Sequence, residues 1–519
     1  MGNKKWWTLA AVCLGTFMLL LDITIVSVAL PPIERSLGAS FSELQWVVDA
    51  YSLTLASLLL TGGSLADLFG RRKVFVAGVA AFTSGSLLCG LATSPLFLIL
   101  SRGFQGIGGA AMFSTALALL ANAFGGRERG VAFGVWGAVT GIAVAVGPVL
   151  GGLITSGLSW RWIFFVNAPF GIAAIAISLA RVEESRERSG RRVDWPGFAL
   201  FSAALVSLVY GLIRASEQGF GDAGVLACLA IAALGVAAFV LLERHSASPM
   251  FDLGLFKVPT FVGGLVAAFG LSVSVFSILL YLVLYLQDAL GYSALQSGLR
   301  LLIISGAILV VSSLTGRLSA SVPIRVLIGP GLVVSGASLF VMSGISGDSS
   351  WTHLVPGFVL AGVGAGLVNP PLASTAIGVV TPFRAGMASG INSTLRQVGI
   401  ATGIAALGSL FATAERHAVV ARASKIPGLA THAGQIATAL RNGAARAVLA
   451  RIPKLERPRV AVMLRASFAS GLDEILVIGG VLACVSGVAA FFLIRSQDFV
   501  VTSSAPAAPT ARGEQARDV

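Results

Sequence analysis

The sequence predicts an all-α membrane protein with about fourteen transmembrane helices. Of its 519 residues, 56% are hydrophobic and only 11% are charged, whereas a soluble domain carries about 25% charged residues. A soluble fold of this length would need more polar side chains to cover its surface, so the composition indicates that lipid solvates much of the chain. The 62 glycines agree with this interpretation, because small residues let membrane helices approach one another closely.

Apolar windows long enough to cross a membrane recur along the whole chain. A helix of about 20 apolar residues spans the hydrocarbon core, and such windows lie at 6–30, 44–66, 74–92, 95–121, 131–154, 163–181, 196–213, 223–242, 261–286, 298–316, 324–345, 352–377, 386–411 and 473–495. The first window contains Asp22 and runs into Pro31 and Pro32 without a small-residue cleavage site. We therefore expect it to be a retained span and not a cleavable signal peptide.

Basic residues are concentrated in alternate connectors between these windows. With the N-terminus placed in the cytoplasm, the inside connectors hold runs such as Arg71-Arg72-Lys73. The short outside connectors then hold only Arg35, Arg161, Arg214 and Arg300. This bias follows the positive-inside rule. We expect cytoplasmic N- and C-termini in a bacterial inner membrane, and we attribute the net charge of +13 to topology and not to nucleic-acid binding.

A weak internal repeat indicates two parallel halves, because similar short motifs end the second and tenth windows, Gly63–Asp67 and Gly316–Ala320. Parallel halves around a midplane site are a recurring transporter design. We expect an N-terminal six-helix half at 1–192, two inserted transmembrane helices and a connector at 193–258, and five helices of the C-terminal half at 259–411. A long basic extracytoplasmic loop follows at 412–472, with two interfacial helices as an alternative, then the last span at 473–495 and a disordered cytoplasmic tail at 496–519.

Three motifs resemble those of the major facilitator superfamily. They are similar to its signature loop, its fourth-helix motif and the antiporter motif of its export branches, and they stand at Gly63–Lys73, Arg102–Gly106 and Gly147–Gly152 respectively. The antiporter motif departs from the family pattern at Ala143, where its first glycine would fall. Four further stretches are similar to the fourteen-span drug:proton antiporters of that superfamily, and they lie at 22–31, 160–169, 285–287 and 385–399. Ser27 stands where that family usually has Asn.

The resemblance implies a major facilitator fold of two six-helix halves with two extra linker helices. It also implies a proton-coupled secondary transporter that exports lipophilic small molecules, such as drugs or antibiotics, by alternating access. In the resembled family the signature loop controls gating, so Gly63, Asp67, Gly70, Arg71 and Arg72 are its predicted counterparts here; the alternative is topology-setting charge.

Ionisable residues within the spans are the predicted proton-coupling groups. Burying an ionisable side chain in a membrane is costly, so such a residue is by default a candidate for function. Asp22, Asp49 and Arg102 all fall in the outer third of their spans, so Asp22 and Arg102 are deep enough to pair. Burial favours a neutral carboxyl and a nearby arginine favours the carboxylate. We predict that Asp22 carries the proton, that Arg102 tunes and orients it, and that Gln105 supplies a neutral hydrogen-bond partner. Asp49 is a second candidate for the proton carrier. The alternative is a structural ion pair.

Polar residues and helix breakers supply the remaining predicted sites. The substrate cavity is predicted to be lined by Gln105, Tyr285, Gln287, Asn369 and Asn392. A pliable helix at the interface of the halves is predicted at Gly147, Pro148, Gly151 and Gly152, because proline removes a backbone donor and glycine permits close contact. The alternative for this motif is a packing kink without a coupling role.

Several functions lack a signal in the sequence. No Walker loop, catalytic triad or metal-ligand spacing is visible, so we expect no enzyme activity, cofactor or metal. The glycine runs at 106–109 and 362–366 lie inside apolar spans without a preceding strand, so they are not dinucleotide loops. We expect a monomer whose lipophilic substrates are weakly biased towards cations by Asp22 and Asp49. The alternatives are an importer or metabolite exporter of the same fold, and behind these a membrane enzyme, flippase or channel.

Overall fold

The computed structural model describes residues 4–124, 126–185, 194–246, 249, 251–319, 321–380, 385–424 and 457–499. Long helices occupy the positions of the fourteen predicted spans. In chain order they are α1 (Lys4–Leu37), α2 (Phe41–Phe69), α3 (Arg71–Gly90), α4 (Pro95–Ala123), α5 (Gly126–Gly157), α6 (Trp162–Arg181), α7 (Trp195–Gln218), α8 (Ala223–His245), α9 (Pro259–Ala289), α10 (Ala294–Leu318), α11 (Ile324–Met342), α12 (Val355–Ile377), α13 (Ala385–Ala423) and α14 (Arg457–Leu493).

Most of these helices can cross a membrane. Within the described ranges, 12 helices are long and apolar enough to do so, or 13 if the bent α5 counts as one span. The predicted all-α membrane class is confirmed, and a total of fourteen spans stays a prediction. The bend in α5 is 42° and falls between Ala143 and Val146. Pro148 follows closely, and a proline ring clashes with the carbonyl four residues before it.

The two halves repeat one packing pattern. In the first half, α4 packs on α2 and α3, α1 packs on α5 and α6, and α3 packs on α6. In the second half, α12 packs on α10 and α11, α9 packs on α13 and α14, and α11 packs on α14. Each pair in the second list is the first-half pair moved along by eight helices. Helices α1–α6 and α9–α14 are therefore parallel structural repeats.

The glycine runs in α4 and α12 serve this packing in the same way. A Cβ atom added at Gly106 would meet Thr54 on α2, and one at Gly108 would meet backbone atoms of α3. In the second half, Gly362 lies equally close to α10, and Gly364 approaches the backbone of α11. Close helix contact of this kind requires residues without a side chain. The runs are thus helix-packing motifs.

The halves meet along two interfaces, α5 with α10 and α2 with α13. Helix α7 covers the second interface, because it packs on both α2 and α13. Its buried Val209 and Ile213 belong to one apolar cluster with Leu53 of α2 and Ala401 of α13. Helix α8 packs on α7. The inserted pair therefore lies on one side of the bundle, and α7 shields the α2–α13 interface.

The long predicted loop begins and ends in helix. Helix α13 has 39 residues, or about 58 Å at 1.5 Å per residue, and the hydrocarbon core is about 30 Å thick. Helix α13 continues into the predicted loop as far as Ala423, and α14 already begins at Arg457. Arg422 of α13 donates hydrogen bonds to Ser467 and Ser470 of α14. Residues 425–456 lie outside the described part. The predicted tail also starts in ordered structure, because Asp498 accepts hydrogen bonds from Thr260.

Candidate functional site

A buried cluster of Asp22, Arg102 and Gln105 joins α1 to α4. Arg102 Nη1 donates to Asp22 Oδ2 at 2.5 Å and to Gln105 Oε1 at 2.8 Å. Gln105 Nε2 donates to Asp22 Oδ1 at 2.9 Å. Asp22 and Arg102 are 0% and 1% exposed. The predicted pair therefore forms, and Gln105, which was predicted both as a hydrogen-bond partner here and for the cavity wall, binds both members of the pair.

The surroundings hold the guanidinium of Arg102 in place. Its Nε donates to the carbonyl of Val47 on α2 at 3.1 Å. Its centre lies 4.3 Å from the ring centroid of Tyr51, also on α2, in a cation–π contact. Nη2 makes no hydrogen bond to a residue that the structure describes. A buried pair with this many partners offsets much of its desolvation cost, and removing one member typically costs about 3–5 kcal/mol.

Asp49 is buried without a partner. Its side chain is 0% exposed, and neither carboxyl oxygen has a hydrogen-bond partner among the described residues. A carboxylate that is buried without a partner is very costly. Asp49 is therefore a buried carboxyl on α2 whose charge no described residue compensates by a hydrogen bond.

Next to Asp49 is a hydrogen-bonded contact that the sequence did not predict. Gln45, one helical turn earlier on α2, donates to the carbonyl of Ile404 on α13 at 3.0 Å and approaches Tyr281 Oη at 3.4 Å. Tyr281 donates to the same carbonyl at 2.5 Å. The Oε1 atom of Gln45 has no partner in the described part of the chain. One carbonyl thus ties α2 and α9 to α13.

A cavity lies between the halves beside the Asp22–Arg102 pair. Its empty space, including the part open to solvent, is about 1090 Å³. Residues from nine helices line it, namely α1, α2, α4 and α5 of the first half and α9–α13 of the second. Arg102 forms part of the wall, while Asp22 is not among the lining residues. The cavity therefore meets the pair on its arginine side.

Contacts between the halves gather at one end of the bundle. We name the end of the bundle that holds Lys4 the proximal end and the end that holds Leu37 the distal end. At the distal end Arg35 pairs with Asp288 at 2.9 Å, and Gln287 donates to the carbonyl of Val28 at 2.8 Å. The amide of Leu295 donates to Ser156 at 3.1 Å. These contacts join α1 to α9 and α5 to α10, and together we call them the distal closure.

An aromatic cluster packs at the same end. Its rings come from α2, α9, α13 and α14, with centroids 4.8–6.1 Å apart, and they are Phe41, Tyr281, Tyr285, Phe411 and Phe468. Tyr285, a predicted cavity residue, is thus part of this cluster. Gln287, another, is part of the distal closure. Residues 285–289 form a π-helical segment. The extra residue in this turn rotates the side chains that follow it about the helix axis, where α9 meets α1.

The other predicted cavity residues lie between helices of the second half. Asn392 on α13 donates to the carbonyl of Leu372 on α12 at 3.4 Å. The side-chain oxygens of Asn369 and Asn392 are buried and have no partner among the residues that are described. None of the five residues predicted for the wall lines the cavity in this conformation. Most of the described residues that line it are aliphatic, and most of the polar ones come from α1, α2 and α4.

The predicted gating loop contacts its own half. Gly70, with a φ of 108°, links α2 to α3 in a conformation that favours glycine. The amide of Arg71 donates to the carbonyl of Ser185, and the amide of Arg72 donates to Glu184 at 3.0 Å. A Cβ at Gly63 would meet no atom within 4 Å. The side chain of Asp67 lies outside the described part, so its gating role stays a prediction.

The predicted pliable motif in α5 lies where three helices meet. Added Cβ atoms at Gly147 and Gly151 would collide with Thr24 and Ile25 of α1, respectively, and one at Gly152 would lie 2.7 Å from the carbonyl oxygen of Ala294 on α10. Gly298 of α10 lies against the carbonyl of Pro148. The motif therefore brings α5 against both α1 and the second half.

Gly152→Val is expected to weaken the distal closure. Overpacking typically costs about 1–3 kcal/mol, and the neighbouring atoms here are backbone. Gly157→Val is a matched control on the same helix, because a Cβ there meets nothing within 4 Å. The reporter is a Cys at Ser297, which is 0% exposed on α10, in a chain whose four native cysteines are replaced. A membrane-impermeant maleimide should label this Cys about 5-fold or more faster in Gly152→Val; equal labelling in both variants would contradict the assignment.

Metal and cofactor sites find no support in the described part of the chain. It contains no group of three His, Cys, Asp or Glu residues placed to hold a metal ion. All four cysteines are unpaired.

Comparison with known proteins places this architecture in a family. The profile of the Major Facilitator Superfamily matches residues 12–404. The chain belongs to the major facilitator superfamily. The resemblance drawn from the sequence motifs is thereby confirmed, and with it the predicted major facilitator fold, while the total of fourteen spans stays a prediction.

Curated relatives of this superfamily transporter are drug-resistance and export proteins. The multidrug resistance protein Stp of Mycobacterium tuberculosis (strain CDC 1551 / Oshkosh) is 40% identical over 79% of this chain and 77% of its own length. The puromycin resistance protein pur8 of Streptomyces alboniger is 38% identical over 78% and 82%. The tetracenomycin C resistance and export protein of Streptomyces glaucescens is 35% identical over 79% and 77%.

A solved structure has the same fold at low identity. A bacterial homologue of the human lysosomal transporter Spinster, in an inward-facing and unoccupied conformation, has a TM-score of 0.62. The match covers 97% of this chain and 100% of that one at 16% identity. This multi-pass membrane protein therefore shares the architecture of a transporter whose sequence has diverged widely.

Proposed function

We propose that this protein exports lipophilic small molecules, including antibiotics, in exchange for protons. It works as a monomer in the bacterial inner membrane, with both termini in the cytoplasm. The observation that carries the proposal is the buried Asp22–Arg102 pair, whose arginine borders a cavity between two repeated halves. The names of the relatives support the direction of transport and the substrate class.

The distal end faces the outside in this proposal, so the described conformation is closed to the exterior. The distal closure and the aromatic cluster seal the cavity there. Opening must break the Arg35–Asp288 ion pair, the Gln287 hydrogen bond to α1 and the carbonyl contact that ties α2 and α9 to α13. These contacts all run between the halves, so rocking of one half against the other would release them together.

Asp22 binds the transported proton. In the closed conformation its two oxygens accept hydrogen bonds from Arg102 and Gln105, and Arg102 is its counterion. Protonation at Oδ2 would replace the ion pair by a neutral acid and leave Arg102 without its counterion. The protonated form therefore favours a different arrangement of α1 and α4. Proton release re-forms the pair beside the cavity, where substrate binds.

Asp49 links a second proton to the distal closure. It is neutral while α2 packs against α9 and α13, because no partner compensates a charge there. Separation of the halves would hydrate the carboxyl and let it ionise. Acid outside the cell would thus favour the return to the closed conformation, as an antiporter that imports protons requires.

A cell-based experiment tests the proposed export. Cells that lack the protein, and cells that produce it, are loaded with tetracenomycin C, which the name of one relative suggests as a probe. Producing cells should hold less of the compound, and a protonophore should abolish the difference. Faster accumulation in producing cells would indicate an importer. A difference that persists with protonophore would contradict proton coupling.

A further inference from the structure

The two walls of the cavity differ in polarity. Of the nine lining residues from the first half, five are polar, and they are Thr24, Ser27, Tyr51, Ser52 and Arg102. Of the fourteen described lining residues from the second half, only Ser305 is polar. An amphipathic molecule bound here would therefore place its polar group against α1, α2 and α4 and its apolar body against α9–α13.

The charged residue among the described part of the cavity wall is a cation. Arg102 lines the cavity, and neither Asp nor Glu is among the described lining residues. Asp22 lies behind the guanidinium and is 0% exposed, and Asp49 is equally buried outside the lining. The Asp22–Arg102 pair is neutral as a whole, but Arg102 and not Asp22 belongs to the cavity wall. The Nη2 atom of Arg102 is the guanidinium nitrogen without a hydrogen bond to any described residue.

We infer that the cavity selects lipophilic molecules that carry a neutral or anionic hydrogen-bond acceptor, and that it disfavours permanent cations. The acceptor binds Arg102 Nη2 and the hydroxyls of the first-half wall. A cation would lose its hydration beside Arg102 without meeting a carboxylate. This inference rests on the proposed function and replaces the weak bias towards cations expected from the sequence, because both acidic residues lie outside the wall.

Three pyrene probes of one shape test the inference. Pyrenebutanol is neutral, pyrenebutanoate is anionic, and a pyrenebutyl trimethylammonium is cationic. Their saturable binding to the purified full-length protein in nanodiscs is measured by fluorescence anisotropy at neutral pH. The neutral and anionic probes should bind about tenfold or more tightly than the cation, as a like-charge contact in a partly apolar site requires. Equal or tighter binding of the cation would overturn the inference, as would the absence of saturable binding for all three.

A substitution in the opposite wall should change this order. Ser305→Asp places a carboxylate in the cavity, and Ser305→Asn is its neutral control of the same shape. The Asp variant should bind the cationic probe about tenfold more tightly than the Asn variant does, while pyrenebutanol binds both alike. No gain for the cation would show that charge at this wall does not control selection.

The two hypotheses can fail separately. If the probe order holds but cells expel no tetracenomycin C, the cavity selects as inferred and the proposed export is wrong. If export is observed while the cationic probe binds best, the function stands and the inferred substrate class is wrong.

Discussion

Asp22→Asn is expected to abolish proton-driven transport and to spare gradient-free exchange of substrate. The Asn side chain keeps the shape of Asp22 but cannot take up a proton. Initial rates of gradient-driven uptake should fall about 100-fold or more, which corresponds to about 2.7 kcal/mol. Exchange of labelled for unlabelled substrate without a gradient should continue, because the cavity wall does not include Asp22.

The same substitution leaves Arg102 buried without its counterion, so stability has to be measured beside transport. Loss of one partner of a buried pair costs about 3–5 kcal/mol, and thermal unfolding of Asp22→Asn should begin at lower temperature. The double variant Asp22→Asn, Arg102→Gln removes both charges and should recover much of that stability. Its gradient-driven transport should remain absent. Recovery of coupled transport in the double variant would show that Asp22 is a structural partner only.

Asp49→Asn is expected to remove the pH dependence of the distal closure. The closed conformation accommodates the protonated carboxyl without a partner and does not accommodate the ionised form. Raising the external pH should therefore favour opening in the parent protein, and lowering it should favour closure. Asn resembles the protonated acid at every pH, so this variant should stay closed. In the parent protein, the ratio of open to closed molecules should change at least about tenfold between acid and alkaline conditions.

Labelling of the Cys at position 297 measures this effect. In the parent chain with this reporter, an impermeant maleimide should react faster as external pH rises, after correction for the reactivity of a free thiol. With Asp49→Asn the corrected rate should be low and constant. Glu43→Gln is a useful control, because Glu43 caps the start of α2 at the same end. A pH response in Asp49→Asn equal to that of the parent would exclude Asp49 as the sensor.

Motifs and depth made the core of the site predictable. Asp22 and Arg102 fall at similar depths in their spans. A buried acid and a buried base in one half are expected to pair, because an unpaired buried charge is strongly destabilising. Gln105 stands one turn from Arg102, so its place in the cluster follows from helix geometry. The glycine runs in α4 and α12 could be interpreted in the same way. A dinucleotide-binding loop needs a preceding strand, which is absent from these apolar spans, and small residues within a span permit close helix packing.

The cavity wall could not be predicted in the same way. Ile304 lines the cavity and Leu309, on the same helix, is 40% exposed on the bundle surface. Both are aliphatic, since lipid and a lipophilic substrate demand the same side chains. Polar residues were a poor guide, because Asn392 and Gln287 use their amides on backbone carbonyls. The contacts of Gln45 and Arg35 cross between the halves, so they depend on the conformation and not on any local pattern.

Transport by purified protein in liposomes tests the central claim most directly. Inside-out proteoliposomes with an acidic lumen are supplied with labelled tetracenomycin C. We predict concentrative uptake that a protonophore abolishes and that Asp22→Asn lacks. Uptake of equal rate and extent in Asp22→Asn, or uptake that ignores the pH gradient, would contradict it.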